Sequence, residues 1–175
     1  MSEQIKIAID AMGGENAPLK NLEGIELFLK KNKNVNDVIF QVYGQKNEIE
    51  SILKKKGINS KKIEVYHCSS VISDEETPLA AIKNSKDSSM WNSVNAQIIN
   101  KANISLSAGN TGVLFVISRM ILKTIDGVSK PALAGLWPNK NGMNVVLDLG
   151  ANIECDEKNL VDFSEMGSAL YKSLF

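Results

Sequence analysis

Ile5-Lys6-Ile7-Ala8-Ile9-Asp10, then Ala11-Met12-Gly13-Gly14-Glu15-Asn16-Ala17-Pro18, then Leu19, Leu22, Ile25 and Leu29 at helical spacing: this stretch decides the fold. A β-branched run ending in aspartate reads as a buried strand. The glycines make a turn, and Asn16 with Pro18 marks a helix start. The same alternation continues downstream. Asp37 to Tyr43 reads as a second strand, followed by a helix from about Gln45 to Lys56 with Gly57 as its stop. Ile63 to His67 is a third strand. Ser69 to Asp87 is an irregular crossing with one short helix, and Ser88 to Lys101 is a longer helix. Ile104 to Ser107, Ala132 to Trp137 and Asn144 to Asp148 read as further strands, with helices over Thr111 to Thr124 and Asn159 to Leu174. Strands alternating with helices predict an α/β fold with a largely parallel sheet.

Bulk properties narrow the function classes. With 175 residues, 43% hydrophobic and 23% charged, the chain can bury a real core, and a single α/β domain over 1–175 is expected. Twenty basic residues balance twenty acidic ones, so no overall field recruits nucleic acid or an anionic membrane. The start Met-Ser-Glu-Gln has no signal-peptide pattern, and Val113 to Leu122, interrupted by Arg119, is far shorter than the ~20 residues of a bilayer span. A cytoplasmic location is expected. Cys68 and Cys155 lack C-x-x-C or zinc spacing and read as buried, unbridged thiols, and no metal site is expected.

In open parallel sheets, ligands bind at the carboxyl edge. Three loops at strand ends share one composition: Asp10 to Pro18, Ala108-Gly109-Asn110-Thr111-Gly112, and Asp148-Leu149-Gly150-Ala151-Asn152. Glycine lets backbone approach a ligand, and the N–H groups of a helix start attract anions. Any one loop alone reads as a turn and cap. Three together read as a phosphate site, with Gly13, Gly14, Asn16, Gly109, Thr111, Gly112 and Asn152 as candidate binding residues. Lys83-Asn84-Ser85-Lys86-Asp87-Ser88-Ser89-Met90 places a cation and hydroxyls before a helix. Lys86, Ser88 and Ser89 are therefore further anion-binding candidates, with helix capping as the equal alternative. No G-x-G-x-x-G follows the first strand and no G-x-x-x-x-G-K-[ST] is present, which removes the main support for dinucleotide and P-loop readings.

Five of these segments, in order, resemble the bacterial phosphate acyltransferase family: Ile7 to Gly14 with Asn16-Ala17-Pro18, Lys86 to Met90, Ser107 to Gly112, Pro131-Ala132-Leu133-Ala134, and Asp148 to Asn152. Glu15 and Glu154 stand where that family usually has aspartate, and Trp91-Asn92 is less typical after Ser-Ser-Met. The resemblance implies a three-layer α/β/α fold related to phosphotransacetylases and isopropylmalate-type dehydrogenases, truncated here to the N-terminal half. It implies transfer of a fatty acyl group from acyl-acyl carrier protein to inorganic phosphate for phospholipid synthesis, without a cofactor. Expected partners are the acyl carrier protein, phosphate and a second copy in a full-length homodimer. Membrane association is at most peripheral, through the other half. Another phosphate acyltransferase or dehydrogenase of the same fold, and a non-catalytic carrier-binding module, are the alternatives.

Phosphate is already anionic and a thioester already activated, so no covalent nucleophile is needed. His67 and Cys68 are strand neighbours pointing to opposite faces, and Cys155 has no histidine nearby in sequence. The catalytic expectations are Asn110 with loop N–H groups as oxyanion donors, Lys86 with Ser88 or Thr111 on phosphate, and Asp10 and Asp148 in orienting roles. The lysines at 54, 55, 56, 61 and 62 form the densest basic cluster and are a candidate dock for an acidic carrier.

Overall fold

β1 (Ile5–Asp10) lies between two parallel neighbours, β2 (Val38–Gly44) and β4 (Ile104–Leu106), and β3 (Ile63–His67) extends the sheet to the order β3-β2-β1-β4. The computed structural model describes residues 4–32, 37–58 and 61–175. Residues 1–3, on which the reading of the start rests, lie outside them. Contacts group the chain into two compact units, Met1–Leu122 and Lys123–Phe175.

In the first unit the register sets Ala8 beside Gln41 and Ile9 beside Val42, so each sheet face collects alternate residues. One face carries Ile9, Val38, Phe40 and Val42 and is covered by Leu22 and Ile25 of α1 (Leu19–Lys31) and Ile49 of α2 (Lys46–Lys56). Burying branched side chains of this kind is worth about 1.5–3 kcal/mol each. Gly57 ends α2 in the left-handed region at φ 66°, as its place after Lys56 predicts. The other face is built from small and polar residues, Ala8, Gln41, Tyr43 and Ser105. Against it lies α4 (Ser89–Ile99), bringing Ser93 and Ala96 close. Ser105 Oγ donates to the Ser93 carbonyl at 2.8 Å and the Asn100 amide donates to Tyr43 Oη at 2.7 Å. α5 (Thr111–Leu122) packs on α4, and α3 (Pro78–Asn84) on α5, in a cluster of Met90, Val94, Val113, Ile117 and Ala81. The result is the three-layer α/β/α arrangement expected, with a parallel four-stranded sheet.

The second unit differs from the sequence reading. β5 (Gly135–Asn139) and β6 (Gly142–Val146) are not strands of the parallel sheet but an antiparallel hairpin, with Asn139 opposite Gly142. The signal was present as Asn141-Gly142, a strong short-range hairpin signature. Gly142 sits at φ 141°, and the Asn141 amide N–H donates to Asn139 Oδ1 at 2.7 Å. α6 (Glu157–Leu174) starts two residues before the expected Asn159, because Asp156 and Asn159 form a reciprocal capping pair. The two cysteines also part company. Cys68 is buried as expected, but Cys155 is exposed in the loop before α6, where no core reaches it. Among the described residues, no helix is long and apolar enough to cross a membrane.

Candidate functional site

The loops after β1 and β4 meet at the carboxyl edge of the sheet. β1 runs on into α1 on one face of the sheet, while β4 runs on into α5 on the α4 side, so the two loops diverge as at a topological switch point. Asp10, 2% exposed, ends β1. Its carboxylate accepts from Ser107 Oγ at 2.7 Å and from the Met12 N–H at 3.2 Å, and Ser107 Oγ in turn accepts from the Gly109 N–H at 3.2 Å. The two glycine loops are pressed together. A Cβ on Gly13 would stand 2.6 Å from Asp10 Oδ2 and 2.8 Å from the Gly109 nitrogen, and Gly14 at φ 89° lies against Ala108. The Asn21 side-chain amide donates to the carbonyls of Ala11 (2.8 Å) and Gly13 (3.0 Å), holding the first loop over α1. Asn16 is exposed at φ 56°, its carbonyl accepting from Lys20 N–H at 3.2 Å.

α5 begins where the second loop ends. Asn110 Oδ1 caps it by accepting from the Val113 N–H at 3.1 Å, and the Asn110 amide donates to the carbonyls of Asp74 and Glu76, both at 3.0 Å. The side chain proposed from sequence as an oxyanion donor thus has both donors engaged, and its geometry is that of a cap and a tie to the crossing segment. The N–H groups of Thr111 and Gly112, at the exposed first turn, have no intrahelical acceptor by position and are the donors available to an anion.

The Lys86 segment resolves in a similar way. Ser88 caps α4, its Oγ accepting from the Trp91 N–H at 3.1 Å, and the buried Ser89 donates its N–H to the Ser70 carbonyl at 3.2 Å. Asn92 bridges the carbonyls of Lys86 (3.0 Å) and Ser88 (2.9 Å), which gives that position a structural role. The Lys86 side chain is exposed. Met90, in the first turn of α4, brings its Cε to 3.0 Å of where a Cβ on Gly109 would lie, so this helix start borders the second glycine loop.

Asp148 and Asn152 belong to the second unit. Asp148 accepts from the Leu133 N–H at 3.0 Å, the Asn152 N–H at 2.8 Å and the Asn152 side-chain amide at 3.1 Å, and that amide also donates to the Pro131 carbonyl at 2.8 Å. Desolvation is the largest single influence on this carboxyl and pushes its pKa up. The backbone N–H groups of Leu133, Asn152 and Ala151 and the Asn152 side chain together outweigh it and hold the pKa below the usual carboxylate value. Cys68 is the opposite case. Burial, with the nearby negative charge of Asp10, pushes its thiol up to about 11, so it is no nucleophile at neutral pH. His67 is exposed and accepts from the Lys46 N–H at 3.4 Å.

Comparison with known proteins follows the same lines. A family described as "Fatty acid synthesis protein" matches residues 5–175. This chain belongs to that family. Its curated relatives include proteins named phosphate acyltransferase from Pelagibacter ubique (47% identical over 175 residues, 100% of this chain and 51% of the relative) and Agrobacterium fabrum (38% over 172 residues, 98% and 48%). The chain therefore spans about half the length of the curated relatives it matches. Among solved structures, the EutD phosphotransacetylase from Staphylococcus aureus matches with a TM-score of 0.59 at 16% identity, over 91% of this chain and 50% of that one, a likeness of fold.

For this member of the fatty acid synthesis protein family, sequence reasoning missed Ser107 and Asn21. Ser107 was legible as the end of a strand and the first residue of the Ser107 to Gly112 segment, not as a partner of Asp10. Asn21, three residues past Pro18, faces back toward the loop from the first turn of α1, a placement that spacing from the helix start could have suggested.

Proposed function

We propose that this chain carries the phosphate-handling part of an acyltransferase that moves a fatty acyl group from acyl-acyl carrier protein onto inorganic phosphate. One observation supports it above the others. In a chain whose relatives are named phosphate acyltransferases, two interlocked glycine loops lead into the first turn of α5 at the sheet's switch point. Phosphate lies against the Thr111 and Gly112 N–H groups, with the Thr111 hydroxyl and Lys86 as further ligands. Asp10 serves indirectly by fixing Ser107 and through it the Gly109 loop. A phosphate oxygen then bonds to the thioester carbonyl carbon, the C–S bond breaks, and the carrier thiolate leaves and takes up a proton. Holding the two reactants in line is worth about 7–11 kcal/mol, which is enough without a covalent enzyme intermediate. The exposed Lys54, Lys55 and Lys61 suit an acidic carrier, whereas Lys56 is already paired with Glu23 at 2.5 Å.

The test uses the native gene product with palmitoyl-acyl carrier protein, trapping acyl phosphate as its hydroxamate with hydroxylamine. Hydroxamate should appear in proportion to added phosphate, and residues 1–175 alone should show little turnover. No phosphate-dependent hydroxamate at saturating donor would overturn the reading.

A further inference from the structure

Asn141-Gly142 closes the hairpin of the second unit, and the turn leaves its side-chain chemistry unused. Asn-Gly occurs once in the chain. Both residues are exposed at the tip, and a Cβ on Gly142 would meet nothing within 4 Å. Elsewhere asparagine amides are tied down: those of Asn21, Asn100, Asn110, Asn152 and Asn159 each donate to a carbonyl or hydroxyl oxygen. The Asn141 side chain has no such partner among the described residues, although its backbone N–H is held by Asn139 Oδ1 at 2.7 Å.

The shape of the turn adds a second observation. A two-residue hairpin loop favours left-handed central residues, whose twist matches that of the strands. Here Lys140 and Asn141 both lie outside that region, and the positive φ, 141°, falls on Gly142. The outermost pair, Asn139 with Gly142, therefore closes on a turn that does not match the strands, with nothing packed over it. Such an end is where a ladder opens at least cost. Opening brings the Asn141 side-chain carbonyl carbon within reach of the next backbone nitrogen, and glycine, lacking a Cβ, leaves that nitrogen unshielded and free to turn.

We propose that Asn141 is a site of spontaneous deamidation, a self-modification of the β5–β6 hairpin with water as the only co-reactant. Gly142 N bonds to Asn141 Cγ, the Cγ–Nδ2 bond breaks, and Nδ2 leaves as ammonia with the proton given up by the Gly142 N–H. Water then adds to either carbonyl of the resulting succinimide and breaks one ring C–N bond, leaving an aspartyl or an isoaspartyl residue at position 141. Nothing is oxidised or reduced. Either product places a negative charge beside Lys140, and the isoaspartyl form also runs the backbone through Cβ, one methylene longer than the turn it replaces. None of these steps depends on the acyl-transfer reading.

The test ages the native gene product in mildly alkaline buffer, folded and in urea, and then digests it with trypsin. Cleavage after Lys140 and Lys158 frees residues 141–158, which hold Asn141, Asn144 and Asn152 in one peptide. With a zero-time digest subtracted, fragment-ion mass spectrometry should place the amide-to-acid mass gain on Asn141, about tenfold or more ahead of Asn144 and Asn152. Part of the product should accept a methyl group from an isoaspartyl methyltransferase. Asn141→Gln keeps the amide but closes a ring far more slowly, and should abolish the gain at this position. Folded protein should react within about tenfold of the unfolded chain, because the tip opens at little cost. A folded rate slower than that overturns the proposal, as does a gain spread evenly over the three asparagines or one that persists in Asn141→Gln.

Discussion

Asp10 and Asp148 both close an apolar run and open a glycine-containing loop, yet the structure treats them differently. Asp148 is surrounded by donors on its own side, two backbone N–H groups and an asparagine amide at 2.8–3.1 Å, and it stitches its loop to Leu133 and Pro131 through Asn152. Asp10 receives one backbone N–H and one hydroxyl, and the hydroxyl belongs to the neighbouring strand's loop, 97 residues away. Asp148 ties together segments of one unit 15 residues apart, whereas Asp10 couples two loops 97 residues apart. Similar sequence signatures thus serve near-range folding in one unit and the joining of two distant loops in the other.

The contrast can be broken most severely at Gly13. Gly13→Ala would drive a methyl group into Asp10 Oδ2, which burial and Ser107 hold in place, and into the backbone nitrogen of Gly109. A loss near the upper end of the usual 1–3 kcal/mol for overpacking is expected, about 3 kcal/mol, together with loss of phosphate binding by ³¹P NMR titration. Normal stability and normal phosphate binding would show that the loops do not interlock as described.

Next comes Asp148→Ala, which strands the Leu133 and Asn152 donors and should cost about 1–3 kcal/mol. If the carboxylate acts only on its own loop, amide exchange should quicken at Leu133 and Asn152 while Ala8 to Asp10 exchange as before. Loss of phosphate binding in this variant would instead give Asp148 a part in the anion site. The pH dependence follows from the lowered pKa. Because the folded value lies below the unfolded one, this contribution is fully present above the ordinary carboxylate range and disappears as the pH falls through the folded value. Protection of the Leu133 amide should therefore fade on acidification, and in Asp148→Asn that pH dependence should be absent.

The smallest effect sharpens the picture at Asn110. Asn110→Ala should lower stability by about 0.5–2 kcal/mol through the lost cap, with kcat of the complete enzyme nearly intact. A fall in kcat of about 10²–10³ without a change in melting temperature would restore the oxyanion role that the sequence suggested.

Much of the first unit was legible because its periodicities are local. Ile5 to Asp10, Ile63 to His67 and the Lys46–Lys56 helix with its Gly57 stop all follow from patterns a few residues long. The second unit was misread where alternation of strands was taken to mean parallel pairing, although Asn141-Gly142 signalled a reversal. The glycine loops after β1 and β4 were legible as a pair of special turns. Their mutual contact, the Ser107–Asp10 bond and the engagement of Asn110 by Asp74 and Glu76 were not, because each joins residues more than thirty positions apart, and no short-range pattern records such a partner.

The face-to-face placement of Gly13 and Gly109 also bears on how such a chain can drift. A methyl added at 13 meets the backbone of 109, and one added at 109 meets both the 13 backbone, at 3.3 Å, and Met90, at 3.0 Å. Position 13 cannot accept a side chain while the opposite loop stays where it is, whereas at 109 a methyl asks the Met90 Cε and the 13 backbone to give by a few tenths of an ångström. Single-step substitution is closed at 13, and any lineage that replaced that glycine would first have to shift the opposite loop. A library randomised at 13 alone should return glycine, whereas one that also varies the length of the 107–110 loop should open routes that point mutation never reaches.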